Sequence, residues 1–470
     1  MTTHSPYTSP IVGLSRSAID PPLDPYASAI VRRLVQDAML QAGLGKRDRS
    51  APLMDIIQPG DHVLIKPNWV SHYNQRTDGT MTELVTHPSV VLAALEQVVL
   101  AKPSRVTVAD APIQGCDFAE VCTPELIERA SALCRAAGVS IDFIDFRRTR
   151  IHDLDLVNDV RTDVRPLDQY VLVDLGRDSL LEPISKRGVF RVTMYDPAKL
   201  ASEHRPGRHR YLIARQVMEA NVVLSLPKLK THRKAGITAA LKNLIGINGD
   251  KDFLPHHRVG GSRMGGDCYP GVAPIKRFAE ILLDASNRRI GRPSQRLWQS
   301  AAFNLMRFHR GNRDLEGGWS GNDTIWRTTL DLNRIMLYGR LDGSMADIPQ
   351  RRLWSLTDGI IAGQGNGPLA PEPLPLGVVT FSGDAVAAEA VHCALLRIDC
   401  QKVPLTKHSF EAFRWPLSDR VLTPATVVAR MDGQLLSLTD IAQRFGLDAR
   451  LPVGWRGVVE DRSTRSVEAA

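Results

Sequence analysis

VLIKPNWV (63–70), HPSVVLAALEQVVL (87–100), RVTVADAP (105–112), PELIERASALCRAAG (124–138) and SIDFIDF (140–146) follow one another in the chain. The first, third and fifth open on or consist of short apolar runs with the length of a buried strand. The second and fourth are long enough for helices, and Gly138 stands where the second of these should stop. Strand, helix, strand, helix, strand in this order predicts a mostly parallel sheet with helices on its faces, an α/β fold with Rossmann-like layers.

The pattern extends outward in both directions. A helical periodicity runs from about 26 to 41, with Ile30, Leu34, Val35, Ala38 and Met39 on one side. Residues 1–24 are rich in Ser, Thr and Pro and read as weakly ordered. Residues 147–212 interrupt the rhythm as an insertion, with strands expected at 170–175 and 189–194. It resumes with NVVLSLPKLKTH (221–232), a helix near 240–247, a Gly-, His- and Arg-rich loop at about 249–275, and a helix at 325–339. RLWSLTDGII (352–361) and LGVVTFSGD (376–384) read as further core strands, and AVAAEAVHCALL (385–396) as a helix after them. The expected organisation is an N-terminal segment 1–59 with one helix, an α/β core over 60–400, and a peripheral region 401–470.

Of the 470 residues, 43% are hydrophobic and 23% charged, the balance of a soluble globular protein. No apolar run approaches the roughly 18 residues that suggest a membrane span. The N-terminus lacks the basic and apolar regions of a secretory signal, so the expected compartment is the cytoplasm. The six cysteines form no C-x-x-C pair, which argues for free thiols and against a cysteine-held iron–sulfur cluster. A net charge of +8 suits an anionic partner, but no nucleic-acid motif accompanies it. Oligomeric state is not legible.

Several core strands end in a polar residue beside Gly, Pro or Ala. Lys66 and Asn68 follow VLI, Asp110 follows VTVA, Lys228 and Lys230 follow VLSLP, Asp358 follows LWSLT, and Asp384 follows VTFSG. Ligands of open α/β sheets bind outside the carboxyl ends of the strands, so these residues are expected to converge. Lysine, a compact point charge, suits phosphate or carboxylate. His232 is a candidate acid/base group or metal ligand. Lys242 and Asn243 lie in a helical pattern beside Gly246 and Gly249. Asp250, His256 and His257 could complete a metal set with His232, although their spacing matches no standard zinc signature. DGIIAGQGNGPLAP (358–371) is neither a P-loop nor G-x-G-x-x-G, and Gly365 and Gly367 could bring backbone close to a ligand or simply form a loop.

IKPNWV (65–70), THP (86–88), LPKLKTH (226–232), LKNLIGINGD (241–250), DGIIAGQGNGP (358–368) and SGDAVAAEAV (382–391) together resemble the domain-of-unknown-function family 362. The resemblance covers roughly residues 60–400. It implies an α/β domain without a settled activity. Some members carry a ferredoxin-like cysteine cluster, which this chain lacks. In SGDAVAAEAV, Ala385 and Glu389 stand where the family more often has Pro and Asp. GNDTIWRTTLDLNRI (321–335) resembles a subgroup associated with cell-envelope polysaccharide gene regions.

The expected function is therefore an enzyme acting on a small phosphate- or carboxylate-bearing substrate. Lys66, Asn68, Lys228, Lys230, Lys242, Asn243, Gly365 and Gly367 would bind it, with His232, Asp358 and Asp384 catalytic. The alternatives are a non-catalytic protein that holds an anion or phosphoglycan, and a metal-dependent redox or racemase-type enzyme. The cofactor is open, a divalent metal being one option.

Overall fold

Alternate residues of the apolar strands face opposite ways, and in this chain both sets are apolar. Val63, Ile65, Val106, Val108, Val222 and Leu224 enter one core, while Leu64, Ala109 and Val223 enter another on the far side of the sheet. Such strands are stable only when helices cover both faces. The computed structural model, which describes residues 11–19, 24–151, 161–193, 195–290 and 292–461, shows that arrangement.

Among the described residues the main sheet has eleven strands: β1 (Ile11–Arg16), β2 (His62–Pro67), β3 (Arg105–Asp110), β4 (Ser140–Asp145), β5 (Val222–Leu226), β6 (Lys228–His232), β7 (Gly236–Thr238), β8 (Arg352–Asn366), β9 (Ala370–Ser382), β10 (Val428–Met431) and β11 (Gln434–Ser437). Its order is β11-β10-β1-β9-β8-β5-β2-β3-β4, with β6 beside β8 and β7 beside β6. The block β8-β5-β2-β3-β4 is parallel throughout. β9 runs antiparallel to β8. Helices α1 (Ser28–Gln41), α2 (Pro88–Leu100) and α3 (Pro124–Ala137) bury their apolar residues in one core. A hairpin of α4 (Pro274–Asn287) and α5 (Ser294–Arg307) stands apart. Helices α6 (Ile325–Tyr338) and α7 (Ala385–Leu395) pack in the other core.

The α/β reading and the expected elements from 62 to 146 match the structure closely. Three expectations do not. Residues 11–16, placed by composition in a weakly ordered stretch, form an interior strand between β9 and β10. Of the same stretch, 1–10 and 20–23 lie outside the described residues, as do 152–160 and 194 of the insertion. The C-terminal region is not peripheral: β10 and β11 extend the sheet, and Trp455 is buried with its Nε1–H donating to Arg233 O at 2.6 Å. The glycine-rich 358–366 is no loop but the second half of β8.

Gly13 shows how firmly β1 is built in. A Cβ there would lie 1.9 Å from Ala38 O on α1. Gly13→Ala should cost about 1–3 kcal/mol, the usual cost of overpacking a core. Equal urea midpoints for variant and wild type would show that β1 is not held against α1.

Candidate functional site

The K-P-N and L-K-N-x-x-G elements lock to each other. Lys66, at the end of β2, donates from Nζ to Asp110 Oδ1 at 2.7 Å and to Asn243 Oδ1 at 3.3 Å. Asn68 Nδ2 donates to the same Asn243 oxygen at 3.1 Å. Asn243 Nδ2 returns bonds to Ser225 Oγ and Lys66 O. Asp110 also accepts from Trp69 N at 2.8 Å. Gly246 must be glycine, because a Cβ would lie 2.0 Å from Asp110 Oδ1 and 2.7 Å from Lys66 Nζ. This interlock holds the buried 3-10 turn Lys242–Ile247 against the carboxyl ends of β2, β3 and β5.

Lys242 is thereby placed in the interior without a counterion at bonding distance. Among the described residues its ammonium makes no hydrogen bond or ion pair. Burial, together with the positive charges of Lys251, Lys234 and Lys66, pushes it down to about 7; Glu389 opposes this. Glu389 reaches in from α7. Its Oε2 accepts from Leu241 N at 3.0 Å, while its Oε1 is buried with no partner among the described residues. Burial raises this carboxyl to about 8. Lys251 donates to Ala111 O at 3.1 Å, and burial lowers it to about 8.

His232 closes β6 beside this group. Its Nδ1 accepts from Lys234 N at 3.0 Å and Ala235 N at 3.1 Å. Two backbone donors aimed at Nδ1 put the ring proton on Nε2. Burial, then the charges of Lys242, Lys234, Lys230 and His256, holds the ring well below its ordinary range. The geometry revises the role. Nε2–H can donate to an anion, but accepting a proton there would force one onto Nδ1, against two N–H groups.

The other expected residues divide. Lys228 and Asp358 form a fully buried ion pair at 2.6 Å, on the face that carries Tyr26 and His87. Lys230, two residues along the strand and so on the same side as Lys228, donates to Leu84 O. The charges of Lys228 and Asp358 are answered within the protein, and Lys230 is held by a backbone carbonyl. Asp384 does not join the cluster. Ser382 lies level with Ser355, Ser225 and Lys66 across the sheet, and β9, running antiparallel, carries Asp384 toward the opposite edge. There it caps α7 through Ala387 N at 2.9 Å. A residue at the end of a strand reaches the cluster only where that strand runs parallel to β2 and β8, and β9 does not.

Gly365, near the end of β8, and Gly367, just after it, shape the approach to the hairpin. Gly365 has φ +78° and its carbonyl accepts from Thr231 Oγ1, while a Cβ on Gly367 would meet Thr231 O at 2.0 Å. They bring backbone close to β6 rather than forming an open cradle. The four metal candidates are not gathered either. No three His, Cys, Asp or Glu side chains among the described residues converge as ligands. Asp250 is paired with Arg148 at 2.9 Å and caps Asp252 N, and His256 Nδ1 bonds Leu254 O.

Sequence reading missed Lys234 and Lys251 and assigned Glu389 no definite partner. A signal existed for Lys251, which directly follows the Gly249–Asp250 turn. Lys234 bonds Thr193 Oγ1 at 3.2 Å and pairs with Glu316 at 3.4 Å. Thr193, Glu316, Arg233 and His257 line an adjoining cavity of about 460 Å³, whose other wall is the α4–α5 hairpin. The six cysteines are buried free thiols.

Comparison with known proteins agrees with the motifs. The chain is 22% identical over 351 residues to a thylakoid-associated protein of Synechocystis, covering 74% of this chain and 67% of that protein. A crystal structure of a Thermotoga maritima protein aligns with TM-score 0.33 and 11% identity, over 79% of this chain and 59% of the other, so this chain spans less than two thirds of that one. No helix among the described residues is long and apolar enough to cross a membrane. Over residues 178–394 the chain matches the family described as Domain of unknown function (DUF362).

Proposed function

We propose that the chain is an enzyme that binds a small phosphate- or carboxylate-bearing substrate beside Lys242 and acts on it by acid–base chemistry, neutral Lys242 taking a proton from the substrate and protonated Glu389 giving one to it. One observation carries the reading: a buried lysine and a buried carboxyl oxygen, neither with a bonding partner among the described residues, lie among further cations. An unanswered buried charge is costly, and a bound anion would answer it. His232 Nε2–H, Lys251 and Lys234 supply further donors. Lys66, Asn68 and Asn243 act as positioning residues, holding the turn that carries Lys242. Six buried thiols support a cytoplasmic setting.

Binding of inorganic phosphate, measured by calorimetry, tests the anion site. Lys242→Met removes a charge-assisted contact and should weaken binding by about 1.5–3 kcal/mol, roughly 10- to 150-fold. Lys242 and Lys251 lose their protons near 7 and 8, so affinity should fall as pH rises from 6 to 9. Affinity independent of both pH and the substitution would reject the site.

A second reading, a protein that only holds the anion, is favoured by His232, whose second ring nitrogen, Nε2, is a donor. It predicts the same binding behaviour and no turnover.

A further inference from the structure

Residues 274–313 form an antiparallel satellite. Helices α4 and α5 bury Ala279, Leu282, Ala302 and Met306 against each other in a small core of their own, separate from the two cores that flank the sheet. What the hairpin turns outward is unusual for a surface. Phe278, Phe303 and Phe308 are the three exposed phenylalanines among the described residues, and all sit here, with Ile281 and Leu297 beside them. Leu297 is 70% exposed and Phe308 78%. Bulky apolar groups clustered on a water-facing surface mark an interaction site.

The same segment is basic. Arg288, Arg292, Arg296, Arg307, Arg310 and Arg313 are exposed. The acidic residues of 274–313 are answered locally: Glu280 accepts from Gly260 N at 2.8 Å, and Asp284 is paired with Arg191 at 2.8 Å. On α5 and its C-cap the exposed positions 296, 297, 300, 301, 303, 304, 307 and 308 fall on one side of the helix, so Leu297, Phe303 and Phe308 share that face with Arg296 and Arg307.

We propose that the α4–α5 hairpin docks the protein on an anionic lipid bilayer. Helices that lie in a membrane interface place aromatic and aliphatic side chains among the upper acyl chains and arginines among acidic headgroups. Charge separates this partner from a second copy of the chain. A two-fold contact through this patch would bring arginine against arginine, whereas an anionic bilayer answers both the charge and the apolar surface. Phe303, Arg307 and Arg313 also line the 460 Å³ cavity, so docking here sets the cavity mouth at the lipid surface. The inference does not depend on the reading of Lys242.

Co-sedimentation of the full chain with vesicles tests it. Wild type should pellet with vesicles of phosphatidylcholine containing about one third phosphatidylglycerol, and far less with phosphatidylcholine alone. Binding to the anionic vesicles should weaken as salt is raised, since screening acts on exposed charges. Arg296→Gln with Arg307→Gln, and separately Leu297→Ser with Phe308→Ser, should each lower partitioning about tenfold or more. All four side chains are exposed, so thermal midpoints should be unchanged. Failure of wild type to bind anionic vesicles, or equal binding by both double variants, overturns the proposal. So does light scattering that shows a wild-type dimer made monomeric by Leu297→Ser with Phe308→Ser, because the occupant is then a second copy.

Discussion

Asp358→Ala should destabilise the protein by about 3–5 kcal/mol, the cost of removing one partner of a buried ion pair. The Asp358 carboxylate is fully buried and accepts from Lys228 Nζ at 2.6 Å, Tyr26 OH at 2.8 Å and His87 N at 3.0 Å. Its loss strands an ammonium, leaving Lys228 with only Tyr26 OH at 2.9 Å and Ile361 O at 3.2 Å. Burial already disfavours the charged lysine, and Asp358 is what holds its proton. Asp358→Asn, which keeps the size and some of the bonds, should cost less. Urea midpoints give the comparison. A substrate-facing carboxylate in an open cleft would behave otherwise: its removal would abolish activity and move stability by only about 0.5 kcal/mol. A midpoint unchanged in Asp358→Ala would thus return Asp358 to the catalytic set.

Lys242→Met should do the opposite, raising stability while ending function. The wild-type residue carries a buried charge without a bonded partner among the described residues, and an apolar chain of similar length relieves that burden. A gain of about 0.5–2 kcal/mol is expected at neutral pH, the size usual where a functional site has been built at the expense of stability. Turnover should fall about 10²–10⁴-fold, the ordinary contribution of a general acid or base.

The pH dependence has a definite sign. Lys242 titrates near 7 in the folded protein against 10.5 unfolded, so between these values the unfolded chain binds more protons. The Lys242 contribution therefore makes wild-type stability rise with pH across that window, and the rise is missing in Lys242→Met. Glu389 acts oppositely. Its pKa is raised from 4.5 to about 8, so its contribution falls as pH rises between them. Catalysis that needs a neutral Lys242 and a protonated Glu389 gives a bell with limbs near 7 and 8, values that belong to the interacting pair. Metabolite screening of the wild type supplies the substrate, and kcat/KM against pH supplies the profile. Full turnover in Lys242→Met would remove this residue from the chemistry.

The layered fold was legible because its signal is local. VLI at 63–65 and VVL at 222–224 are apolar on both sides of the strand, which only a sheet covered on both faces accommodates. PSVVLAALEQVVL and PELIERASALCRAA carry proline at their first turns, so both helices begin where the sequence says. The K-P-N, P-K-L-K-T-H and L-K-N-x-x-G motifs drew attention to the right segments for a similarly concrete reason. Gly246 admits no side chain against Asp110 and Lys66, and Asn243 fits only where both its amide ends are bonded.

Partner choice was not legible. Lys66, Lys228 and Lys242 look alike in sequence, each a lysine beside an apolar run. Tertiary contacts give Lys66 to Asp110, 44 residues away, and Lys228 to Asp358, 130 residues away, and leave Lys242 with neither. Strand direction was equally hidden, since 376–382 has the same apolar run whether it lies parallel or antiparallel to its neighbour, and that direction sends Asp384 away from the cluster. The short β1 carries too little pattern in six residues to announce an interior strand; what places it there is pairing with residues more than 360 positions later. Local composition determines which segments become strands and helices because backbone geometry and burial act over a few residues. Which charge is answered, and which is left for a ligand, is decided by contacts between segments that only the folded chain brings within a few ångströms.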